Sequence, residues 1–170
     1  TLDDLDARVS GELPNPKAEK TNPVETQSFW PPEAAQATTD YKKQVLALVQ
    51  DRLKTLAELP TMTRYFFTTP SKNPALITEN KQLKKLAPGE IEHLLAATRT
   101  KLASLPAEQR TGEDIQATLN ELLTETGQKP GILFSLIRIY TTWAPFSPEL
   151  PATLALLGKE TTLARLQTTQ

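Results

Sequence analysis

Prolines punctuate the sequence at the edges of segments in which apolar residues recur three and four positions apart. The chain of 170 residues has 14 prolines and only six glycines. Proline interrupts a helix interior but is accepted in the first helical turn. A spacing of three and four is typical of amphipathic helices, and no segment alternates convincingly with the period of two that a strand shows. We therefore predict an all-α fold of roughly seven to nine helices in two packed subdomains.

The pattern predicts individual helices. One long helix runs from about Pro32 and ends at Pro60, and the short helix TMTRYFF and a break at SKNPALITEN follow it. The next helix begins near Pro88. The segment after Thr111 starts with a capping residue and ends at Gly127. PGILFSLIRIYTTW is apolar almost all round, which predicts the most buried helix, and PELPATLALLG and KETTLARL close the chain around a joint at Gly158.

The N-terminal part is the least regular. TLDDLDARV is compatible with a short helix, whereas residues 10–34 read as a loop or insertion because they are polar and rich in proline. FWPP, at the end of this stretch, has the bulk to pin the loop to a core. We predict a first helical subdomain over residues 1–72 and a second over residues 73–170.

Composition excludes several classes of protein. Nineteen basic and twenty acidic residues give a net charge of −1, so bulk charge predicts neither nucleic-acid nor membrane binding. No apolar run approaches the roughly 20 residues of a membrane span. The absence of cysteine excludes disulfides and favours an intracellular, cytoplasmic protein. Because the chain begins at Thr1 without a methionine, we expect it to be part of something longer.

No catalytic constellation is visible. His93 is the only histidine, and a lone imidazole away from the apolar stripe is usually a solvated surface residue. The sequence contains no HExxH, no cysteine pair, no phosphate-binding glycine loop and no GxSxG. We predict no catalytic residue, no metal site and no cofactor within this chain.

Basic side chains near helix ends are the remaining chemistry. Lys42 and Arg52 lie on the predicted long helix, and Lys129 precedes a proline–glycine helix start. Arg138 interrupts the most apolar helix, where burial of an unpaired charge is costly. Either an internal acid pairs with Arg138, or its guanidinium opens onto a binding surface.

Three blocks resemble a known family: DRLKTLAELPTMTRYFF (51–67), GQKPGILFSLIR (127–138) and LPATLALLGKETTLARL (150–166). They are similar to the C-terminal anticodon-binding region of bacterial-type glutamyl-tRNA synthetases, which are class I aminoacyl-tRNA synthetases. The resemblance covers about residues 35–170 and implies an all-helical cage of two subdomains. In that family the cage follows a catalytic domain with HIGH and KMSKS signatures, and neither signature occurs here.

The resemblance implies a function. This chain would read the anticodon of tRNA(Glu), while the absent catalytic domain uses ATP and Mg²⁺ to attach glutamate. The chain itself would be neither an enzyme nor a cofactor-binding domain, and it would act as a cytoplasmic monomer. Whether tRNA(Gln) is a second partner stays open.

The resemblance also assigns residues. Arg52 would lie beside the first anticodon base and Arg138 would reach the third. The turn SPEL would line a pocket for the last two bases through Ser147, Pro148 and Leu150. A family arginine near the middle base is replaced here by Asn120, and we prefer a structural or solvated role for Asn120 to a base-reading role. A family proline two residues before Arg138 is replaced by Leu136. Lys42, Lys129 and Asn120 are candidates for phosphate or loop contacts.

A second hypothesis is a helical protein-interaction or assembly domain. In that interpretation an aromatic docking patch consists of Trp30, Phe134, Trp143 and Phe146. Salt dependence separates the two hypotheses, because RNA binding weakens steeply as ionic strength rises and apolar docking does not.

Overall fold

The computed structural model of the chain describes residues 1–11, 28–106, 109–144 and 147–167. These residues form nine α-helices and no strand, so the all-α prediction is confirmed for the part described. The helices are α1 (Leu2–Val9), α2 (Thr39–Val49), α3 (Leu59–Phe67), α4 (Ala75–Thr78), α5 (Pro88–Ser104), α6 (Gly112–Thr126), α7 (Pro130–Thr142), α8 (Leu150–Leu157) and α9 (Lys159–Arg165). None of these described helices has both the length and the apolar character that crossing a membrane requires.

The chain divides into two compact units, Thr1–Thr68 and Thr69–Gln170. The first contains α1 to α3 and the second contains α4 to α9. Most of the predicted loop or insertion at 10–34 falls on residues 12–27, which lie outside the described residues.

Aromatic packing holds the first unit together. Trp30 and Pro31 of the FWPP motif are buried, as the anchor prediction requires. The ring of Trp30 meets Phe67 edge-on at 5.6 Å, and Tyr41 of α2 meets the same ring at 5.8 Å. The hydroxyl of Tyr41 also donates to the carbonyl oxygen of Phe66 at 3.2 Å. These contacts fix α2 against α3.

The single long helix predicted from Pro32 to Pro60 is wrong. The structure has 3₁₀ turns at Pro32–Gln36, Gln50–Arg52 and Leu56–Glu58, with α2 between the first two. The extended residue Thr38 caps α2, its hydroxyl accepting from the backbone nitrogen of Tyr41 at 3.3 Å. Pro60 lies in the first turn of α3, where its missing amide donor costs nothing. The proline therefore starts a helix here instead of ending one.

The helix boundaries predicted for the second unit agree with the structure. α5 begins at Pro88, and α6 begins with a full capping box between Thr111 and Asp114. α6 ends at Gly127 in the left-handed conformation, with φ 64°, as glycine at this position commonly does. Gly158, with φ 80°, joins α8 to α9. These local signals set the helix boundaries that the structure shows.

The core of the second unit contains side chains from α5 to α8, from the turn at 83–85 and from the residue after α9. α7 was predicted to be the most buried helix, and its six buried residues are the largest number in any described helix. α8 has the larger buried share, with five of its eight residues. The buried hydrophobic residues are Leu83, Leu94, Leu95, Leu102, Ile115, Leu119, Leu122, Leu133, Leu136, Ile137, Ile139, Leu150, Leu154 and Leu166.

Two cations cap the C-terminal end of α5. Arg110 donates to the carbonyl oxygen of Leu102 at 3.0 Å, and Lys159 donates to those of Ala103 and Leu105 at 2.7 and 3.3 Å. The last carbonyls of a helix have no partner inside it, so side-chain donors satisfy them. Burial lowers the pKa of the Arg110 guanidinium. The start of α9 is thereby attached to the end of α5.

Candidate nucleic-acid interface

Arg138 lies on α7, and its side chain is half-buried. It lines a cavity of about 260 Å³ together with Leu76 and Glu79 of the α4 region and Asn80. An acid thus shares the cavity with the guanidinium, while the partial exposure of Arg138 leaves part of its side chain accessible to a ligand. The two alternatives for Arg138, pairing with an internal acid and opening onto a binding surface, both stay predictions.

The segment after α4 packs along α7. The carboxamide oxygen of Asn80 accepts hydrogen bonds from the backbone nitrogens of Gln82 and Leu83 at 2.9 and 3.2 Å, which fixes the turn. The side chain of Gln82 lies against Gly131, where an added Cβ would be 2.5 Å from its oxygen. This contact brings the turn at 81–85 beside the start of α7, next to Lys129.

Exposed lysines surround the start of α7. Lys129 is the residue before the helix, and Lys81, Lys84 and Lys85 are exposed on the adjoining turn. Lysines of this kind suit phosphate contacts, which position an RNA without reading its sequence.

The SPEL turn is less accessible than its predicted role suggests. Ser147 is 5% exposed, Leu150 is 2% exposed and Pro148 is also buried. The hydroxyl of Ser147 donates to the carbonyl oxygen of Pro148 at 3.2 Å. Of the four residues of this turn, Glu149 alone is exposed. The role of the three buried residues in a base pocket therefore stays a prediction.

Asn120 lies in an open groove of about 740 Å³ between α6 and α8. Its side chain is exposed, and its oxygen accepts from the amide of Gln116 at 2.9 Å. Glu113 and Glu149 also line the groove. Two carboxylates make this groove a poor site for a phosphate, and the role of Asn120 stays a prediction.

Arg52 and Lys42 belong to the first unit. Arg52 is exposed in the 3₁₀ turn Gln50–Arg52, not on the long helix that we predicted for it. Lys42 is half-buried near the start of α2. Arg138 and the SPEL turn belong to the other unit.

One of the four residues of the proposed aromatic docking patch, Trp30, is buried. Trp30 is 7% exposed inside the first unit, so its ring is not available on a surface. Phe134 and Trp143 are half-buried in the second unit, and Phe146 lies outside the described residues. Leu136, the replacement for a family proline, is fully buried within α7, so the helix continues past this position.

His93 is exposed, as expected of a solvated lone histidine. Within residues 1–11, 28–106, 109–144 and 147–167, no group of three or more histidine, aspartate and glutamate side chains is placed to hold a metal ion.

Sequence reasoning missed Glu79 and Asn80, because SKNPALITEN was interpreted as a break. The segment contains the short helix α4, directly after Pro74. A proline followed by three helix-compatible residues is a helix-start signal, and it would have found α4. No sequence pattern places Glu79 and Arg138 in the lining of one cavity, since the two residues are far apart along the chain.

Comparisons with known proteins agree on one family. A family model described as an anticodon binding domain matches residues 18–170. A glutamate–tRNA ligase from Roseiflexus castenholzii is 39% identical over 129 residues, which are 75% of this chain and 24% of that protein. A glutamate–tRNA ligase from Bacillus subtilis is 31% identical over 165 residues, which are 96% of this chain and 31% of that protein.

A solved structure shows the same fold. The crystal structure of a glutamate tRNA ligase from Elizabethkingia meningosepticum, in complex with its amino acid, matches with a TM-score of 0.66 and 18% identity. The match covers 77% of this chain and 24% of that one. The chain thus spans about a quarter to a third of the length of the relatives that it matches.

Proposed function

We propose that this chain, which belongs to the anticodon-binding domain family, binds tRNA(Glu) at the anticodon loop. It would do so as part of a glutamate–tRNA ligase. The observation that carries the proposal is the family match over residues 18–170, together with ligase relatives that align along 75% and 96% of the chain.

The chemistry of the second unit supports this role. Anticodon bases are read on their edges once they are unstacked, and a planar guanidinium such as that of Arg138 can donate to two acceptors of one base. Lys129 directly precedes the helix of Arg138, and the lysines of the turn at 81–85 lie beside the start of that helix, where they can neutralise phosphates. Arg138 would then supply discrimination, and the lysines would supply affinity.

In this proposal the chain supplies recognition and no chemical step. Activation of glutamate with ATP and Mg²⁺ belongs to a catalytic domain outside this sequence. The chain would work in the cytoplasm as a monomer, and a preference for tRNA(Glu) over tRNA(Gln) would depend partly on Arg52.

The test is binding of fluorescently labelled tRNA(Glu) transcript to this chain, followed by anisotropy at several salt concentrations. We expect saturable binding that weakens steeply with ionic strength, since each neutralised phosphate releases counterions. An unrelated tRNA with a different anticodon is the matched control and should bind more weakly at every salt concentration. Equal affinity for both transcripts, or no binding at low salt, contradicts the proposal.

A further inference from the structure

Trp143 has an unusual backbone conformation at the end of α7. Its φ of 43° and ψ of 35° lie in the left-handed region. Among the residues that the structure describes, it is the one non-glycine residue with positive φ. Glycine is the usual occupant of this position after a helix, and a bulky side chain there is strained. Strain of this kind persists where surrounding contacts enforce it and is concentrated at functional sites.

The surrounding contacts are specific. The backbone nitrogen of Trp143 donates to the carbonyl oxygen of Ile139 at 2.7 Å. Arg165, from α9, donates to the carbonyl oxygen of Thr141 at 2.8 Å. The hydroxyl of Thr142 accepts from the backbone nitrogen of Ala144 at 3.3 Å. The helix end is thereby held on both sides of the strained residue, which fixes the backbone from which the indole projects.

The indole borders a cavity of about 420 Å³ within the second unit. The ring is half-buried, and Tyr140 packs against it with ring centres 5.1 Å apart and planes at 47°. Lys72 and Arg165 line the same cavity, along with one acid, Glu160. The volume is within the range of roughly 300–1,000 Å³ that small-molecule sites occupy.

We propose that Trp143 is a stacking platform for one unpaired base of the bound RNA, with Lys72 neutralising the neighbouring phosphate. This inference rests on the proposed function and adds a site that none of the sequence blocks assigns. An aromatic face beside cations is the combination that binds single-stranded nucleic acid. Two cations against one acid favour an anionic ligand, and the aromatic face beside them favours one that carries a base next to its phosphate. Stacking tolerates any base, so Trp143 adds affinity and little sequence discrimination.

Tryptophan fluorescence tests the proposal directly, because the chain has only two tryptophans and Trp30 is buried in the first unit. The probes are the anticodon stem-loop of tRNA(Glu) and a duplex of the same stem that lacks unpaired bases. We expect the stem-loop to quench the emission and the duplex to leave it almost unchanged. A Trp30→Phe variant should keep the quenching, and a Trp143→Gly variant should lose it.

Affinity is measured in parallel by anisotropy of labelled stem-loop. Trp143→Gly should weaken binding roughly 5- to 150-fold, the range that base–aromatic stacking gives. Glycine relieves the backbone strain, and thermal unfolding monitors the packing that is lost with the ring. Trp143→Phe keeps an aromatic face and should retain most of the affinity, which also covers the case in which the glycine variant does not fold. Lys72→Gln should weaken binding a few-fold and reduce its salt dependence.

The outcomes are distinct. Stem-loop binding without quenching, or unchanged affinity in a folded Trp143→Gly variant, overturns the stacking site and leaves the proposed function standing. A lower unfolding temperature with unchanged affinity gives the indole a structural role only and also overturns it. Absence of stem-loop binding to the unmodified chain overturns the proposed function and this inference together.

Discussion

The guanidinium of Arg165 on α9 donates a 2.8 Å hydrogen bond to the carbonyl oxygen of Thr141 in the last turn of α7. The two residues are 24 positions apart, so the contact is tertiary. It satisfies a helix-end carbonyl that has no partner within α7. Arg138 and Trp143 both lie at this end of α7, and the position of α9 is therefore linked to the residues that we assign to RNA binding.

Replacing Arg165 should destabilise the fold. We expect Arg165→Met to lower the free energy of unfolding by about 1–3 kcal/mol, because a charge-assisted hydrogen bond is lost and a carbonyl loses its donor. Urea denaturation measures the change. Lys84→Met, at an exposed lysine, is the control and should change stability little. Equal effects of the two variants would contradict a capping role for Arg165.

The capping box of α6 makes a second stability prediction. The hydroxyl of Thr111 accepts from the backbone nitrogen of Asp114 at 3.2 Å, and the carboxylate of Asp114 accepts from the backbone nitrogen of Thr111 at 3.0 Å. Thr111→Ala should cost about 1 kcal/mol of unfolding free energy, the usual cost of losing a cap. Thr111→Ser keeps the hydroxyl and should restore most of it; thermal unfolding of both variants measures the difference.

The stability that Asp114 contributes to the folded state through this capping box should depend on pH. Hydrogen bonds from the Thr111 side chain, and then from its backbone, hold the pKa of Asp114 below the ordinary value of 3.8. The folded state thus favours the carboxylate, so its stabilisation is present above pH 3.8 and is lost as the pH falls through the lowered folded pKa. The stability difference between the unmodified chain and Asp114→Asn should shrink below pH 3.8. A constant difference across this window contradicts the assignment.

Arg138 should discriminate between RNA loops. We expect Arg138→Ala to cost roughly 1–3 kcal/mol of binding free energy for the tRNA(Glu) stem-loop, the value typical of a bidentate base contact. Titration against stem-loops that differ at the third anticodon base measures whether discrimination is lost. Lys129→Ala, at the other end of α7, is the matched control and should weaken all stem-loops alike. If Arg138→Ala also weakens all stem-loops alike, the arginine contacts only phosphate.

Arg52 should influence the first anticodon base. Arg52→Gln is expected to relax the preference between cytosine and uracil at that position, while the fold is retained because Arg52 is exposed. Competition between stem-loops with the two bases measures the preference. Lys54→Gln, an exposed neighbour, is the control and should leave it unchanged. Discrimination unaltered by Arg52→Gln would remove Arg52 from base recognition.

Sequence patterns predicted the second unit well, because its helix boundaries depend on local chemistry. Pro88, Thr111, Gly127 and Gly158 all act through the backbone or nearest neighbours, and each marks the boundary that the sequence suggested. The prediction of one long helix before Pro60 was wrong because it depended on side-chain spacing and on no local backbone signal. Side-chain spacing continues across a break in the backbone, so periodicity alone did not detect the turns at Gln50–Arg52 and Leu56–Glu58.

The candidate site was predicted less completely. The sequence singled out Arg138 because an arginine in an apolar helix is unusual, and the structure gives it a cavity. Burial of Ser147 and Leu150, and the left-handed backbone of Trp143, depend on contacts between distant segments. Arg165 reaches Thr141 only after α7 and α9 have packed together. Such features have no signature in the spacing of residues.

Chemical footprinting of full-length tRNA(Glu) by this chain tests the central claim most directly. The account predicts protection of the anticodon loop, with the third anticodon base losing protection in Arg138→Ala while the rest of the footprint persists. Protection confined to the acceptor end, or an anticodon loop as reactive with the chain as without it, would contradict the account.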